Sequence, residues 1–138
     1  MPIWYRPIPN KPIFHVVYSG HITLHDVLGF FDHFETDFRR FPEFDELCEA
    51  DKVTSLDFGE RDLRSLIALV VALYRRNDCR KRIAFVGEHD TIRSTLDNVV
   101  SAFDTGYPGV RCQRFGNRAA ACRFLDLPAS FSPEQMLH

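Results

Sequence analysis

Three histidines near the first predicted helix are the side chains best suited to bind a metal ion. His21 and His25 lie four residues apart and His33 lies eight residues after His25, so two or three imidazoles can approach one another. A zinc site needs converging ligands and a second shell that orients them. No cysteine or carboxylate is spaced to complete the set. We therefore expect surface histidines, no metal and no cofactor.

Groups for a catalytic triad can also be selected from the sequence, for example Ser55, Ser65, Asp57 and a histidine. Any chain of this length allows such a selection, because geometry rather than inventory defines an active site. The G-x-S-x-G, G-x-G-x-x-G, phosphate-binding-loop and H-E-x-x-H motifs are missing. The sequence predicts that the protein is not an enzyme.

The densest positive charge is carried by Arg75, Arg76, Arg80, Lys81 and Arg82, which are five cations in eight positions. Such a cluster can hold a phosphate or a nucleic-acid backbone. No aromatic residues interleave it, and the formal net charge of the chain is -2. We expect a helix end with a solvated turn, and no nucleic-acid partner.

Composition and cysteine spacing favour a single cytoplasmic domain. The chain has 138 residues and is 45% hydrophobic, enough for one domain with a core. The longest apolar run is far shorter than the roughly 20 residues of a membrane span, and no signal-peptide pattern opens the chain. We expect no membrane insertion. The four cysteines form no C-x-x-C pair, so we expect buried free thiols at Cys48, Cys79, Cys112 and Cys122.

The pattern of apolar residues predicts an α/β fold. Residues 3–6 and 13–18 form an antiparallel hairpin around a proline-rich turn. Helices then alternate with strands, which forces parallel pairing. The predicted order is β-β-α-β-α-β-α-β-α, a mixed sheet of about five strands with a parallel core, in one domain of residues 1–138 with a loose tail at 126–138. The helices are expected to begin with caps at Thr23, Asp57, Asp90 and Asn117, with Asp26 completing a capping box at Thr23. They are expected to end at Phe41, Arg76, Gly106 and Leu125, with a left-handed backbone at Gly106. Residues 110–115 alternate between apolar and polar side chains, which predicts an edge strand with one solvent-exposed face.

The rest of the chain is organised around residues 51–66, which are predicted to run from a strand through a tight loop into a helix. Asp57 and Glu60 have the spacing of a capping box, so the helix is expected to begin at Phe58. The loop follows the carboxyl end of a strand, which is where open α/β sheets place their binding surfaces. A partner is therefore expected to bind at this loop.

The first predicted helix is rich in phenylalanine. Its apolar stripe contains Leu24, Val27, Leu28, Phe31, Phe34 and Phe38, and Phe30 falls outside the stripe. An exposed aromatic patch would mark a dimer contact or a groove for an apolar ligand. The other interpretation is a core built of large side chains. The ligand-binding alternative uses Phe30, Phe31, Phe34 and Phe38.

Four short segments resemble a known family: residues 18–24 (YSGHITL), 41–45 (FPEFD), 53–57 (VTSLD) and 82–84 (RIA). They are similar to the small bacterial proteins of the SpoIIAA-like or STAS fold, which is the fold of anti-sigma-factor antagonists. The resemblance spans about residues 3–125 and is closest to the standalone, mostly uncharacterised subgroup. In the antagonists, an Asp in the strand-to-helix loop precedes a serine that a kinase phosphorylates. Asp57 matches that Asp, but Phe58 and Gly59 occupy the next positions, so the resemblance implies a binding surface without the switch.

These observations predict a non-enzymatic regulatory or protein-interaction module of unknown partner. Its docking surface is expected to contain Thr54, Ser55, Asp57, Phe58, Gly59 and Arg61, with Phe58 pointing out of the loop. The alternative is a domain that binds a small apolar ligand or a lipid, and an uncharacterised enzyme is the third hypothesis. A homodimer through the hairpin or the first helix is also expected, although the prolines beside the hairpin blunt its edge.

Overall fold

The computed structural model describes residues 2–133. Within them the chain forms five strands and four helices in the predicted order. The elements are β1 (Ile3–Pro7), β2 (Ile13–Thr23), α1 (Leu24–Arg40), β3 (Asp45–Asp57), α2 (Glu60–Arg76), β4 (Lys81–Val86), α3 (Asp90–Gly106), β5 (Val110–Phe115) and α4 (Arg118–Phe124).

The strands form one mixed sheet in the order β1-β2-β3-β4-β5. β1 pairs antiparallel with β2, and the other three pairings are parallel. This arrangement confirms the predicted parallel core with an antiparallel N-terminal hairpin. Among residues 2–133, no helix is both long enough and apolar enough to cross a bilayer.

β2 and β3 are longer than predicted. Residues 19–23 pair with residues 52–57, whereas β4 pairs only with residues 46–49 of β3. We call residues 19–23 and 52–57 the ribbon, because this two-stranded part continues past the rest of the sheet. Gly20 lies between two register shifts in this pairing and has a φ of 71°. Glycine adopts such a positive φ without steric cost.

The helices cover the two faces of the sheet unequally. α1, α2 and α3 pack on one face and form what we call the helical core, whereas α4 covers part of the other face and forms the second core. Neighbouring strand residues divide between them: Cys48 and Ile83 belong to the helical core, and Leu47 and Ala84 belong to the second core. This division follows from the alternation of side chains along a strand.

Helix α1 begins as predicted, and three of its four buried positions, Val27, Phe34 and Phe38, lie on the predicted stripe. Its capping box is present, because Thr23 Oγ1 accepts from Asp26 N at 3.1 Å and Asp26 Oδ2 accepts from Thr23 N at 2.9 Å. Phe30 was predicted off the stripe yet is only 7% exposed, whereas Leu28 is 38% exposed. The buried positions are Val27, Phe30, Phe34 and Phe38. They also have helical spacing, so contacts with the sheet decide between the two stripes.

Two of the predicted caps are wrong. α2 begins at Glu60 with Gly59 as its N-cap and without a side-chain hydrogen bond, because Asp57 is still the last residue of β3. The expected start at Phe58 is therefore also wrong. α3 begins at Asp90, and its N-cap is His89.

The ends of the later helices agree with prediction in part. Gly106 closes α3 without a positive φ, so the predicted left-handed stop is wrong. Asn117 caps α4 as predicted, because its side chain accepts from Ala120 N at 2.9 Å. Past α4, Leu127 is only 8% exposed and Phe131 packs on the second core. The predicted loose tail is thus wrong over this stretch, and residues 134–138 lie outside the described part.

Candidate functional site

A cavity of about 110 Å³ lies in the helical core, between the sheet and helices α2 and α3. Its floor includes Ile22, Ala50, Val53 and Phe85 from the sheet, and its walls include Leu66 and Val99 from the helices. An apolar cavity of about 150 Å³ can stay dry and bind benzene. The space therefore suits a molecule of about benzene's size or slightly smaller.

Two small side chains account for the space above β3. Cys48 and Ala50 occupy successive positions on the face of β3 that carries the helical core, and both line the cavity. Each is at most 2% exposed. Because neither side chain reaches far from the sheet, the floor is low where the larger side chains of α2 and α3 meet it.

One end of the cavity is polar and internally paired. Glu46 Oε2 accepts from Lys81 Nζ at 2.9 Å and from Tyr74 Oη at 2.5 Å. Glu46 Oε1 accepts from Cys48 Sγ at 3.6 Å. The ammonium of Lys81 also lies 5.1 Å from the centre of the Tyr74 ring, a favourable cation–π distance. The buried ion pair therefore has partners on both sides, which a buried charge requires.

Burial keeps the other titratable groups at this end neutral. Burial, followed by the charge of Glu46, raises the pKa of the Tyr74 hydroxyl and of the Cys48 thiol well above their ordinary values. Burial also raises the pKa of Tyr18 well above its ordinary value, with smaller contributions from Cys48 and Glu46. A protonated thiol is a poor nucleophile, so this end of the cavity can donate hydrogen bonds but is not set up for covalent chemistry.

The four phenylalanines predicted to hold an apolar ligand are mostly core. Phe34 and Phe38 are 0% exposed, and Phe30 is 7% exposed. Phe31 is half-buried and lines the cavity. The space lies toward α2 and α3 rather than directly beneath α1, because the aromatic rings fill the interface between α1 and the sheet. The signal in the sequence was the pair of small residues at positions 48 and 50, which the prediction did not use.

Four of the six residues of the predicted docking surface are exposed. Thr54, Asp57, Gly59 and Arg61 are exposed and Ser55 is half-buried. Phe58 does not point into solvent as predicted: it is half-buried, packs against the helical core and lines the cavity. Much of the predicted loop is strand, because β3 continues to Asp57.

The ribbon brings His21, Ser55 and Asp57 together. His21 and Ser55 are directly paired across the two strands. Nδ1 of His21 lies 2.6 Å from Ser55 Oγ, and Nε2 lies 3.7 Å from Asp57 Oδ2. The second separation exceeds a hydrogen bond, and the side chains of His21 and Asp57 are 58% and 71% exposed. This is a surface polar cluster without the buried His–carboxylate bond of a catalytic triad.

The other two histidines of the predicted metal set lie elsewhere. His25 and His33 line a separate groove between β1 and α1, beside Trp4 and Tyr5. Between residues 2 and 133, no three histidine, cysteine or acidic side chains converge as metal ligands. The β1 edge in this groove is where the homodimer was expected, and that contact stays a prediction.

Several cations of the predicted basic cluster form ion pairs with separate acidic side chains. Arg76 bonds Glu35 at 2.6 Å. Arg82 bonds Asp45 at 2.8 Å and Asp126 at 2.7 Å. Lys81 is only 5% exposed, inside the ion pair with Glu46. The expected solvated turn is therefore wrong at Lys81, because β4 begins there and turns its side chain into the protein.

The opposite face of the sheet carries a polar cluster that the sequence did not predict. His15 is 0% exposed. Its Nε2 lies 2.8 Å from Glu49 Oε2, which also accepts from Arg118 Nη2 at 2.8 Å. Burial alone would raise the pKa of Glu49, but hydrogen bonds from His15 and Arg118 outweigh it and lower that pKa to about 2. The three residues are far apart in sequence, so no local pattern predicts the cluster.

All four cysteines are free and buried, which confirms the expectation of buried thiols.

No protein-family model matches the chain, and no curated protein matches it. Among solved structures it is similar to an uncharacterized protein of the DUF3478 family with a SpoIIAA-like fold, from Shewanella loihica PV-4. The TM-score is 0.56 at 14% sequence identity, over 89% of this chain and 91% of the other. The chain therefore has a SpoIIAA-like fold, as the resemblance implied. At this identity the likeness establishes the fold alone.

Proposed function

We propose that this SpoIIAA-like domain is a non-enzymatic binding module that holds a small, neutral, apolar molecule in the cavity of its helical core. The cavity carries the proposal: about 110 Å³ of space bounded almost entirely by apolar side chains. Protein interiors are packed like organic crystals and contain few voids larger than a water molecule. A cavity of this size costs stability, and a ligand that fills it restores the lost contacts.

The lining supports a neutral ligand. Lys81 and Tyr74 already occupy one oxygen of Glu46, and Cys48 faces the other. A charged ligand would lose its hydration without gaining a counter-ion, which is costly in an apolar site. Neutral ligands avoid that cost, and their burial is driven by the hydrophobic effect.

Entry is expected near the junction of β3 and α2. The lining side chains of Leu56, Phe58 and Leu63 are half-buried there. Their displacement would open the cavity without disturbing Val53 and Ala50 on its floor. Phe58, expected from the sequence to contact a partner, thus serves in this proposal as part of the cavity wall.

Thermal melting in the presence of benzene tests the proposal. Binding to the native state alone raises stability by about 2.7 kcal/mol at a ligand concentration one hundred times the dissociation constant. Val99→Phe places a ring in the lining, and Val100→Phe is the matched control because Val100 packs on the helical core outside the cavity lining. We expect benzene to raise the melting temperature of the wild type and of Val100→Phe, and to have much less effect on Val99→Phe.

Two results would contradict the proposal. One is the absence of a saturable rise in the wild-type melting temperature. The other is an equal rise in Val99→Phe, which would place benzene elsewhere.

A second candidate is the protein-interaction module predicted from the sequence. One observation favours it: among the described strands, β3 has no neighbour on its β4 side beyond Glu49. Free strand edges present N–H and C=O groups to an extended peptide. In this candidate, a partner peptide would lie along the ribbon beside the exposed Thr54 and Arg61.

Charge reversal separates the two candidates. Arg61 belongs to the predicted docking surface, and Arg64 is another exposed arginine on the same helix outside it. Docking at the ribbon predicts that Arg61→Glu loses a partner captured by the wild type and that Arg64→Glu retains it. If both variants retain the partner equally, the proposed docking surface is contradicted. Neither variant should alter benzene binding.

A further inference from the structure

Tyr18 is half-buried and lines the cavity, and its hydroxyl has no hydrogen-bond partner among residues 2–133. Its ring is held in place, because it packs on the helical core and contacts the Phe30 ring at 6.0 Å between centroids. A polar group in an apolar environment costs free energy unless it forms a hydrogen bond. Tyr18 thus offers the cavity an unused and positioned polar group.

The neighbouring polar groups do not satisfy Tyr18. Cys48 faces Glu46, and Glu46 is shared by Tyr74 and Lys81. No hydrogen bond joins Tyr18 to any of these groups among residues 2–133. The hydrogen bond of Tyr18 therefore remains available to a molecule in the cavity.

The surroundings also fix the role of this hydroxyl. Burial, with smaller effects of Cys48 and Glu46, raises the pKa of Tyr18 well above its ordinary value, so the hydroxyl keeps its proton. A hydroxyl can both donate and accept, but a neutral ketone or ether can only accept. A ligand acceptor of this kind is matched by the Tyr18 proton.

We propose that the natural ligand carries one neutral hydrogen-bond acceptor, a carbonyl or ether oxygen, and that Tyr18 donates to it while the rest of the molecule lies against Ile22, Val53 and Leu66. This inference rests on the proposed function and makes it more specific. The ligand class is a small monofunctional ketone or ether rather than a pure hydrocarbon. Its size is limited to roughly that of benzene, as the cavity volume of about 110 Å³ indicates.

The experiment compares two ligands of the same shape, cyclopentanone and methylenecyclopentane, which differ in one oxygen. Their dissociation constants are measured by methyl NMR on the wild type, on Tyr18→Phe and on Thr95→Val. Tyr18→Phe removes only the hydroxyl. Thr95→Val is the matched control, because it removes another hydroxyl from the cavity lining.

We expect Tyr18→Phe to weaken cyclopentanone binding by about 3- to 10-fold, the usual range for one neutral hydrogen bond. Methylenecyclopentane should bind Tyr18→Phe as well as it binds the wild type, and Thr95→Val should change neither constant. The ratio of the two constants is compared within each variant, so a general loss of stability in Tyr18→Phe cancels.

The outcomes distinguish the two proposals. If both ligands bind and Tyr18→Phe weakens them equally or not at all, the hydrogen bond to Tyr18 is contradicted and the apolar cavity site remains. If Thr95→Val produces the selective loss instead, the acceptor lies at the other hydroxyl and the inference is overturned. If neither ligand binds the wild type saturably, the proposed function fails and the inference fails with it.

Discussion

One methylene added at two positions of the sheet tests whether the cavity is real. Val53 is 3% exposed and lines the cavity, whereas Val16 is 0% exposed and lies in the helical core outside the cavity lining. Both valines are in strands, and isoleucine keeps the branched carbon that suits a strand. Val53→Ile and Val16→Ile are thus the same chemical change in two packing environments.

The structure predicts opposite signs for the two changes. At about 24 cal/mol per Å³, a cavity of about 110 Å³ corresponds to about 2.6 kcal/mol of lost stability. One buried methylene recovers about 0.8 kcal/mol. Val53→Ile should therefore raise the free energy of unfolding by about that amount. Val16→Ile has no space to fill and should lower it by about 1–3 kcal/mol, as overpacking does.

Urea unfolding at constant pH measures both values, provided that the slopes of the transitions agree. Val53→Ile should also weaken benzene binding, because it removes part of the space. If Val53→Ile is destabilising to the same extent as Val16→Ile, the floor at Val53 is already filled. That result would remove the basis for ligand binding.

Three further predictions concern the rest of the fold. Because hydrogen bonds lower the pKa of Glu49 from its ordinary value near 4.5 to about 2, its carboxylate adds stability above pH 4.5 that is lost as the pH falls toward 2. The loss is about 3 kcal/mol at about 1.4 kcal/mol per pKa unit. Urea unfolding measured against pH should show the stability advantage of wild type over Glu49→Gln shrinking across that window. Thr23→Ala should lower the free energy of unfolding by about 0.5–2 kcal/mol, because it removes an N-cap. Asp57→Ala should stay within about 0.5 kcal/mol of wild type, as surface changes do. Equal losses in both variants would support the capping role first expected for Asp57. In alkylation followed by mass spectrometry, the thiols of the folded protein should react slowly, because burial protects them and raises their pKa values; all four should react after unfolding. Rapid reaction of the folded protein would contradict the described burial of Cys48, Cys79, Cys112 and Cys122.

Local signals in the sequence predicted the fold correctly where no long-range contact favoured another structure. The capping box at Thr23 and Asp26, the alternation over Val110–Phe115 and the cap at Asn117 all appear as expected. Each depends on residues within a few positions of one another. The element order and the mixed sheet follow from such signals, since helices between strands leave few topologies.

The prediction was wrong where long-range contacts decided between local alternatives. Asp57 has the spacing of a capping residue, but pairing with Thr23 keeps it in β3. Phe30 lies off one helical stripe of α1 and on another, and contacts with the rings of Tyr5 and Tyr18 place it inside. Spacing alone carries no information about the strand or ring on the other side.

The candidate site was predicted only in outline. An apolar site near the phenylalanine-rich helix was one alternative, and Phe31 lines the cavity. The space itself depends on Cys48 and Ala50 facing α2 and α3 across the core. Neither the size of a gap nor the unpaired hydroxyl of Tyr18 can be inferred before the packing of several elements is known.

The most direct test of the central claim is a methyl NMR titration of the wild-type protein with benzene. The account predicts saturable shifts concentrated at the methyl groups of Ile22, Val53 and Leu66, which line the cavity, and little change at Leu47 and Val86, which belong to the second core. Shifts that grow linearly without saturation, or that are equal on both faces of the sheet, would contradict the claim that this domain binds an apolar molecule in its helical core.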